Sequence, residues 1–369
     1  MQTLLAILTA ATGLADGPTA PTFWMPQGAS TVAPDVDIVF DVINWVCYFF
    51  FALIVVAMVA FVWKYRIRER EHRFRMDGPT HHAALEATYI IVPLLLSGVI
   101  FFFGFRGYLD LATPPANSYD INVTAKKWQW AFTYPNGAVA SGAVEGLVVP
   151  AGRPVRVVLR ADDVLHSFFI PEFRVKRDCV PGRVGAIWFQ CDYPTGMDPA
   201  KAYNLFCAEY CGTDHSKMLA KVYVLEQAEF DEWLAKQANW IEEIPDAELF
   251  TAAGPRLYAQ CSQCHSLDGT AGQGPSWQGI FDRIRAGTGK FTNGQSYADL
   301  IGPGKVYETP EDYIRDSILN PGKYVVQTFG NVMPTFKGQM SERKIEAVTG
   351  MMKHLDQFDA KGKLKAAAK

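Results

Sequence analysis

Two long uncharged apolar runs near the start of the chain restrict its fold more than any other feature. From Val42 to Trp63, "VINWVCYFFFALIVVAMVAFVW" places 22 residues in a row without a charge, about 33 Å of helix at 1.5 Å per residue. A second run of 19 residues spans Ala87 to Phe105, and its Pro93 is a break that membrane helices tolerate. The short charged loop between them makes a membrane hairpin the better reading than a buried helix of a large soluble protein. The hairpin is placed at 35–106, with helices at about 42–63 and 87–105 and a loop at 64–83. That loop carries Lys64, Arg66, Arg68, Arg70, Arg73 and Arg75 against Glu69, Glu71 and Asp77. A positive loop stays in the cytoplasm, so the N-terminus and everything after about residue 106 are expected on the outer side. Residues 1–15 resemble a signal peptide without the usual basic region. Cys47 reads as a small apolar side chain within the membrane. Glu86 begins the second helix, where the dipole favours a carboxylate; at a membrane boundary it is also a point where protons could enter.

The remaining length leaves room for two further units, since 369 residues exceed one domain. A net charge of -3 offers no field for nucleic acid, and no such partner is expected. Seven cysteines are too few for a disulfide scaffold at this length, and four of them lie in two tight pairs.

After the hairpin, short β-type runs separated by Pro- and Gly-bearing turns predict a small all-β sandwich or barrel over 115–226. The runs are Tyr119–Tyr134, Val155–Ala161, Ala186–Tyr193 and Ala220–Leu225. Within this unit "CAEYCGTDHSKM" brings Cys207, Cys211, His215 and Met218 into twelve residues. Two thiolates, an imidazole and a thioether make a soft donor set suited to copper. A helix face, a Cys207 to Cys211 disulfide and a structural zinc site are the competing readings; Gly212 speaks against the helix. His166, in "DDVLHSFFIP", is a candidate for the missing nitrogen donor.

An acidic helical linker at 227–248 leads to a third unit at 249–360, closed by a basic tail at 361–369. Here "CSQCH" supplies Cys261, Cys264 and His265. This is the attachment sequence of a c-type heme, in which two thiols add to the porphyrin and the imidazole binds iron. A zinc half-site lacks a second ligand pair downstream, and a thioredoxin-like motif lacks its βαβ pattern. Met333 of "NVMPTF" is the candidate sixth ligand, followed by a helix expected over Ser341–Phe358. Met340, Met351 and Met352 are its rivals.

The segments "LEATYIIVP", "KKWQWAF", "DDVLHSFFIP", "KRDCVPGR" and "CAEYCGTDHSKM" occur in the order found in subunit II of heme-copper cytochrome c oxidases, and over residues 35 to 235 the chain resembles that family. The resemblance implies a cupredoxin-like Greek-key domain holding the binuclear CuA centre. Cys207 and Cys211 would bridge the coppers, His166 and His215 would bind one each, and Met218 and the Glu209 carbonyl would be weaker ligands. It further implies an interface magnesium at the Glu209 side chain, Trp128 where electrons arrive from cytochrome c, and Glu86 at the mouth of a proton channel. Asp163 and Asp178 would be surface or supporting carboxylates. Trp128 and Trp130, two apart, would share one strand face. Leu205 and Phe206 depart from the family's usual Gly-Gln, and Cys179 with Cys191 forms an unusual second thiol pair, as a disulfide or as two buried thiols. The third unit resembles an all-α class I cytochrome c, with Pro275 of "GQGPSW" accepting a bond from the proximal imidazole.

The fold class expected is thus a multidomain membrane protein combining hairpin, cupredoxin-like domain and cytochrome c domain, similar to caa3-type subunits II. Such a chain would pass electrons from a cytochrome c or equivalent donor, through its own heme c and CuA, to heme a of subunit I for oxygen reduction coupled to proton transport. Subunit I, with heme a, heme a3 and CuB, subunit III and the lipid bilayer would be its partners. The place would be a bacterial inner membrane, with both termini on the periplasmic side. The alternatives are the same role in a nitric oxide reductase and a stand-alone membrane-anchored carrier.

Overall fold

The computed structural model describes residues 19–66, 81–262, 264–270 and 272–365. The leader expected at 1–15, most of the basic loop, and residues 366–369 of the tail lie outside them. Two helices, α1 (Ala33–Tyr65) and α2 (Ala83–Ala112), are long and apolar enough to cross a membrane, with mean hydropathies of 2.7 and 2.2 in their apolar windows. Both exceed the uncharged runs, because the hydrogen-bonded helix continues through Asp35 and Asp37 at one end and Asp110 at the other. Pro93 lies inside α2 without ending it. Glu86 serves its own helix end. Its Oε1 accepts from the His82 N–H at 2.8 Å while His82 Nδ1 accepts from the Leu85 N–H at 3.2 Å, which satisfies two donors of the first turn.

The β-unit consists of two separate five-stranded sheets and is a sandwich. One sheet contains β1 (Tyr119–Lys126), β2 (Gln129–Thr133), β3 (Val139–Ser141), β5 (Val155–Ala161) and β8 (Gly185–Phe189), in the order β3-β2-β1-β5-β8. The other contains β4 (Leu147–Pro150), β6 (His166–Ile170), β7 (Val175–Cys179), β9 (Tyr203–Cys207) and β10 (Leu219–Leu225), in the order β4-β10-β9-β6-β7. Alternation drives the sandwich together: Val155, Val157 and Leu159 of β5 and Ile121, Val123 and Ala125 of β1 point inward and are buried, as the period of two requires. The single run expected at 119–134 is instead a hairpin that turns at Lys127–Trp128. Trp128 therefore stands at the turn and does not share a strand face with Trp130 in β2.

The segment expected as a linker is divided. Its first half is helix α3 (Gln227–Asn239), which belongs to the sandwich: Phe230 is fully buried in the sandwich core, with its ring 5.4 Å from that of Tyr119. The third unit has its own core and is helical, built from α4 (Gly254–Cys261), α5 (Ile280–Arg285), α6 (Tyr297–Leu300), α7 (Pro310–Leu319) and α8 (Glu342–Lys353). The helix expected to reach Phe358 stops at Lys353, and a short 3-10 turn covers Leu355–Gln357.

The membrane helices are clamped to the sandwich. The buried Arg174 guanidinium donates to both Asp37 carboxylate oxygens, at 2.7 and 3.0 Å, and to the carbonyls of Pro171 and Pro26. The Trp188 indole donates to the Asp110 carbonyl at 3.0 Å. The two sheets are tied by Tyr134, whose hydroxyl donates to the Val148 carbonyl at 2.9 Å and accepts from the Val148 N–H at 3.0 Å. Tyr134→Phe leaves both Val148 groups without that partner, and we expect a loss of about 2 kcal/mol, read as a lower denaturant midpoint for the β-unit.

Candidate functional site

The connection between β9 and β10 creates the metal-binding candidate. β9 ends at Cys207, β10 begins at Leu219, and the two strands pair antiparallel with Leu219 opposite Phe206. The intervening loop must therefore fold back on itself, returning Cys211, His215 and Met218 to the neighbourhood of Cys207. β6 lies on the other side of β9, with Phe168 opposite Cys207, and this pairing delivers His166. The sulfurs of Cys207 and Cys211 are 3.8 Å apart. His166 Nδ1 is 3.9 Å from the Cys207 sulfur, and His215 Nδ1 is 3.4 Å from that of Cys211. Met218 Sδ lies 3.9 Å from the Cys211 sulfur, and the Glu209 carbonyl 3.2 Å from that of Cys207. The six donors anticipated in the sequence thus surround the Cys207–Cys211 sulfur pair, and His166, Cys207 and Cys211 lie within 4.8 Å of one another. The loop contains no α-helix, only a 3-10 turn at His215–Lys217. Gly212, at φ 119°, occupies a backbone region that side chains avoid, and a Cβ there would come within 3.2 Å of the Trp128 ring.

Electrostatics indicate what such a pocket holds. Burial opposes ionisation of Cys207, but the His166 ring and the adjoining backbone outweigh it and draw the thiol down to about 7. Cys211 moves the other way, pushed up to about 12 by burial and then by the neighbouring Cys207 sulfur. Two thiolates this close cannot both form without a cation between them. Soft donors, thiolate demand and two imidazoles with Nδ1 turned to the sulfurs fit copper. No disulfide joins Cys207 to Cys211. Cys179 and Cys191 are likewise unbridged and buried, and burial first of all raises both thiols, to about 12 and about 11.

The His166 ring is held from behind. Its Nε2 lies 2.8 Å from Asp163 Oδ1, and Asp163 also accepts from the backbone N–H of Lys127 and of Val164. Asp178 instead accepts from the Ser167 hydroxyl at 2.8 Å. Glu209 presents an exposed side chain. Trp128 is 4% exposed, buried beside the ligand loop rather than presented at the surface.

A second site is an apolar crevice in the helical unit with about 1220 Å³ of atom-free space, including its open mouth. Cys261, Cys264 and His265 lie on its wall together with Met333. His265 Nδ1 is 2.7 Å from the Pro275 carbonyl, which leaves Nε2 free. Burial lowers the pKa of the imidazole and keeps it neutral, the form that binds metal. Gly274 permits this contact, since a Cβ would fall 2.6 Å from His265 Cε1. Met340 and Met352 also line the crevice. Met351 is fully buried against Gly254 instead. The donor set and the apolar lining of the crevice fit a c-type heme.

Of the two readings of Asp163, surface or supporting carboxylate, the bond to the His166 ring is the supporting one; Lys126, buried between the two sites, was not singled out from the sequence. Replacing Asp163 by Ala should lower copper affinity by about 10- to 100-fold, measured by competition with a chelator. Asp178→Ala, which touches no ligand ring, should change it much less.

Residues 136–225 match the family model described as cytochrome C oxidase subunit II, periplasmic domain. The chain is 29% identical over 312 residues to a cytochrome c oxidase subunit 2 of Alkalihalophilus pseudofirmus, covering 82% of each. It is 27% identical to an alternative cytochrome c oxidase subunit 2 of Bradyrhizobium diazoefficiens, covering 60% of this chain and 86% of that one. A crystal structure of the periplasmic domain of subunit II of cytochrome oxidase from Bradyrhizobium japonicum aligns with a TM-score of 0.32 at 27% identity, over 35% of this chain and 99% of that chain. The chain is thus similar to the periplasmic domain of cytochrome c oxidase subunit II over residues 136–225, and to a subunit 2 of that oxidase over 312 residues.

Proposed function

We propose that this chain is the electron-accepting subunit of a terminal heme-copper oxidase, with its own heme c in series with CuA. Electrons from a cytochrome c or equivalent donor arrive at the crevice of the helical unit, pass to the pocket of Cys207 and Cys211, and leave for heme a of subunit I. The observation that carries this reading is that His166 and the Glu209 carbonyl gather at the Cys207 sulfur, and His215 and Met218 at the adjacent Cys211 sulfur. Copper held there by Cys207, Cys211, His166 and His215 would supply one-electron transfer. The protein's part is to hold those donors still. Strands fix Cys207 and His166, Asp163 fixes the His166 ring, and the fold excludes water from the sulfurs.

Support for the heme comes from the crevice. Cys261 and Cys264 would hold a heme through thioethers, and His265, oriented by Pro275, and Met333 would supply its iron ligands. The match to the Alkalihalophilus protein spans 82% of this chain, roughly 303 of 369 residues, so it reaches beyond Cys261–His265 wherever it begins. We place both termini on the periplasmic side of a bacterial inner membrane, with Glu209 facing subunit I and its magnesium.

Purified full-length protein should give an optical spectrum of low-spin heme c, a copper-to-iron ratio of about two, and a seven-line mixed-valence EPR signal. Cys261→Ala with Cys264→Ala should abolish covalent heme while leaving the EPR signal. Copper without the mixed-valence signal would refute the CuA assignment, and no covalent heme in the mature wild type would refute the series.

A further inference from the structure

Lys126 breaks the alternation of its strand. On β1 the residues Ile121, Val123 and Ala125 face the core, so Lys126 belongs to the outward face with Asn122 and Thr124, which are exposed and half-buried. Lys126 is nonetheless 0% exposed. Its cover is the helical unit. The ammonium donates to the Thr335 carbonyl at 2.7 Å and to Gln339 Oε1 at 3.0 Å, and sits 4.1 Å over the Phe336 ring. All three partners follow Met333 in sequence, and Phe336 lies on the wall of the crevice. Across the hairpin Lys126 pairs with Gln129, which also lines that crevice, and the turn between them holds Trp128 against the ligand loop. On the helical side, Cys264 packs against the core of the sandwich. A second clamp lies beyond: Arg256 of α4 donates to Glu145 Oε1 at 2.8 Å and to Gln237 Oε1 at 2.9 Å.

A lysine buried on a sheet's outward face costs desolvation and side-chain entropy. It persists where the bonds it makes specify one geometry. We propose that Lys126 is a positioning residue that locks the helical unit onto the β1–β2 turn, making the heme crevice and the CuA pocket a fixed donor and acceptor pair. The inference rests on the proposed heme c. It goes beyond tethering: a linker raises effective concentration, whereas this contact sets distance and orientation.

The test uses full-length protein in detergent, with the heme reduced by a flash and copper oxidation state followed. Absence of heme c or of the CuA signal in the wild type would defeat the functional reading itself. With both present, Lys126→Met should retain both spectra. Losing a charge-assisted bond shifts docking by about tenfold, so heme-to-copper transfer should slow by about tenfold or more and become viscosity-dependent. Amides of 335–340 should exchange hydrogen about tenfold faster, with β5 unchanged. Gln339→Leu, which removes one acceptor, should slow transfer about threefold. Wild-type rate and exchange in a folded Lys126→Met protein would overturn the proposal. If that variant does not accumulate with both centres, wild-type behaviour of both Gln339→Leu and Arg256→Gln would overturn it.

Discussion

Two sulfurs 3.8 Å apart in a pocket closed to water set the problem that the rest of the fold answers. Left alone, one of the pair stays protonated, because a second negative charge beside the first has neither solvent nor counter-ion. A cation removes that penalty only if the sulfurs are held where it needs them. The sandwich does this with backbone pairing: Cys207 sits at the end of β9 between β6 and β10, so its position follows from two ladders rather than from a loop. The remaining donors occupy a connection that must close back onto the adjacent strand. A positive-φ Gly212 and the pairing of Leu219 with Phe206 leave that connection little freedom.

The same rigidity extends outward in two directions. Toward the membrane, Arg174 meets the N-terminal end of α1 with a bidentate contact to Asp37, a geometry that fixes angle as well as distance. Toward the helical unit, the outward side of the β1–β2–β3 end is covered rather than solvated. Ala131 on that side is buried although β2 turns Trp130 and Phe132 into the core. A sheet face normally free to meet water is thus consumed by a neighbouring unit, and the linker helix joins in, with Gln237 donating to the Val139 carbonyl at 2.8 Å.

Chemistry was more legible in the sequence than geometry, for a physical reason. Metal and heme donors must be particular residue types at short spacings, so Cys207, Cys211, His215, Met218 and the Cys261–His265 motif stand out against composition. Helix α1 and helix α2 were visible because twenty apolar residues have few other uses. Short strands such as β3, β4 and β7 were missed, since three to five residues hold too little alternation to identify. The turn at Lys127–Trp128 was hidden because "KKWQW" has no Gly, Asn or Pro to mark it. Lys126 was invisible on principle: its burial is decided by residues 209 and 213 positions away, and a single lysine on a strand reads as solvated.

Placement of the helical unit also decides which sides of the ligand loop remain open. Trp128 lies beside Gly212, between Lys127 and Gln129, which line the crevice of the helical unit. Glu209 and Tyr210, between the two cysteines, lie exposed, Tyr210 at 74%. A large aromatic ring left bare beside a buried ligand is an uncommon exposure for a solvated surface, and aromatic residues are what the centre of a partner interface is built from. On the proposed reading, charge therefore crosses the pocket from one face to the other. It arrives past the β1–β2 turn and departs where Glu209 and Tyr210 meet the next subunit. The short loop between Cys207 and Cys211 then does two jobs with one backbone, because the carbonyl of Glu209 turns in to the sulfur while its side chain points out.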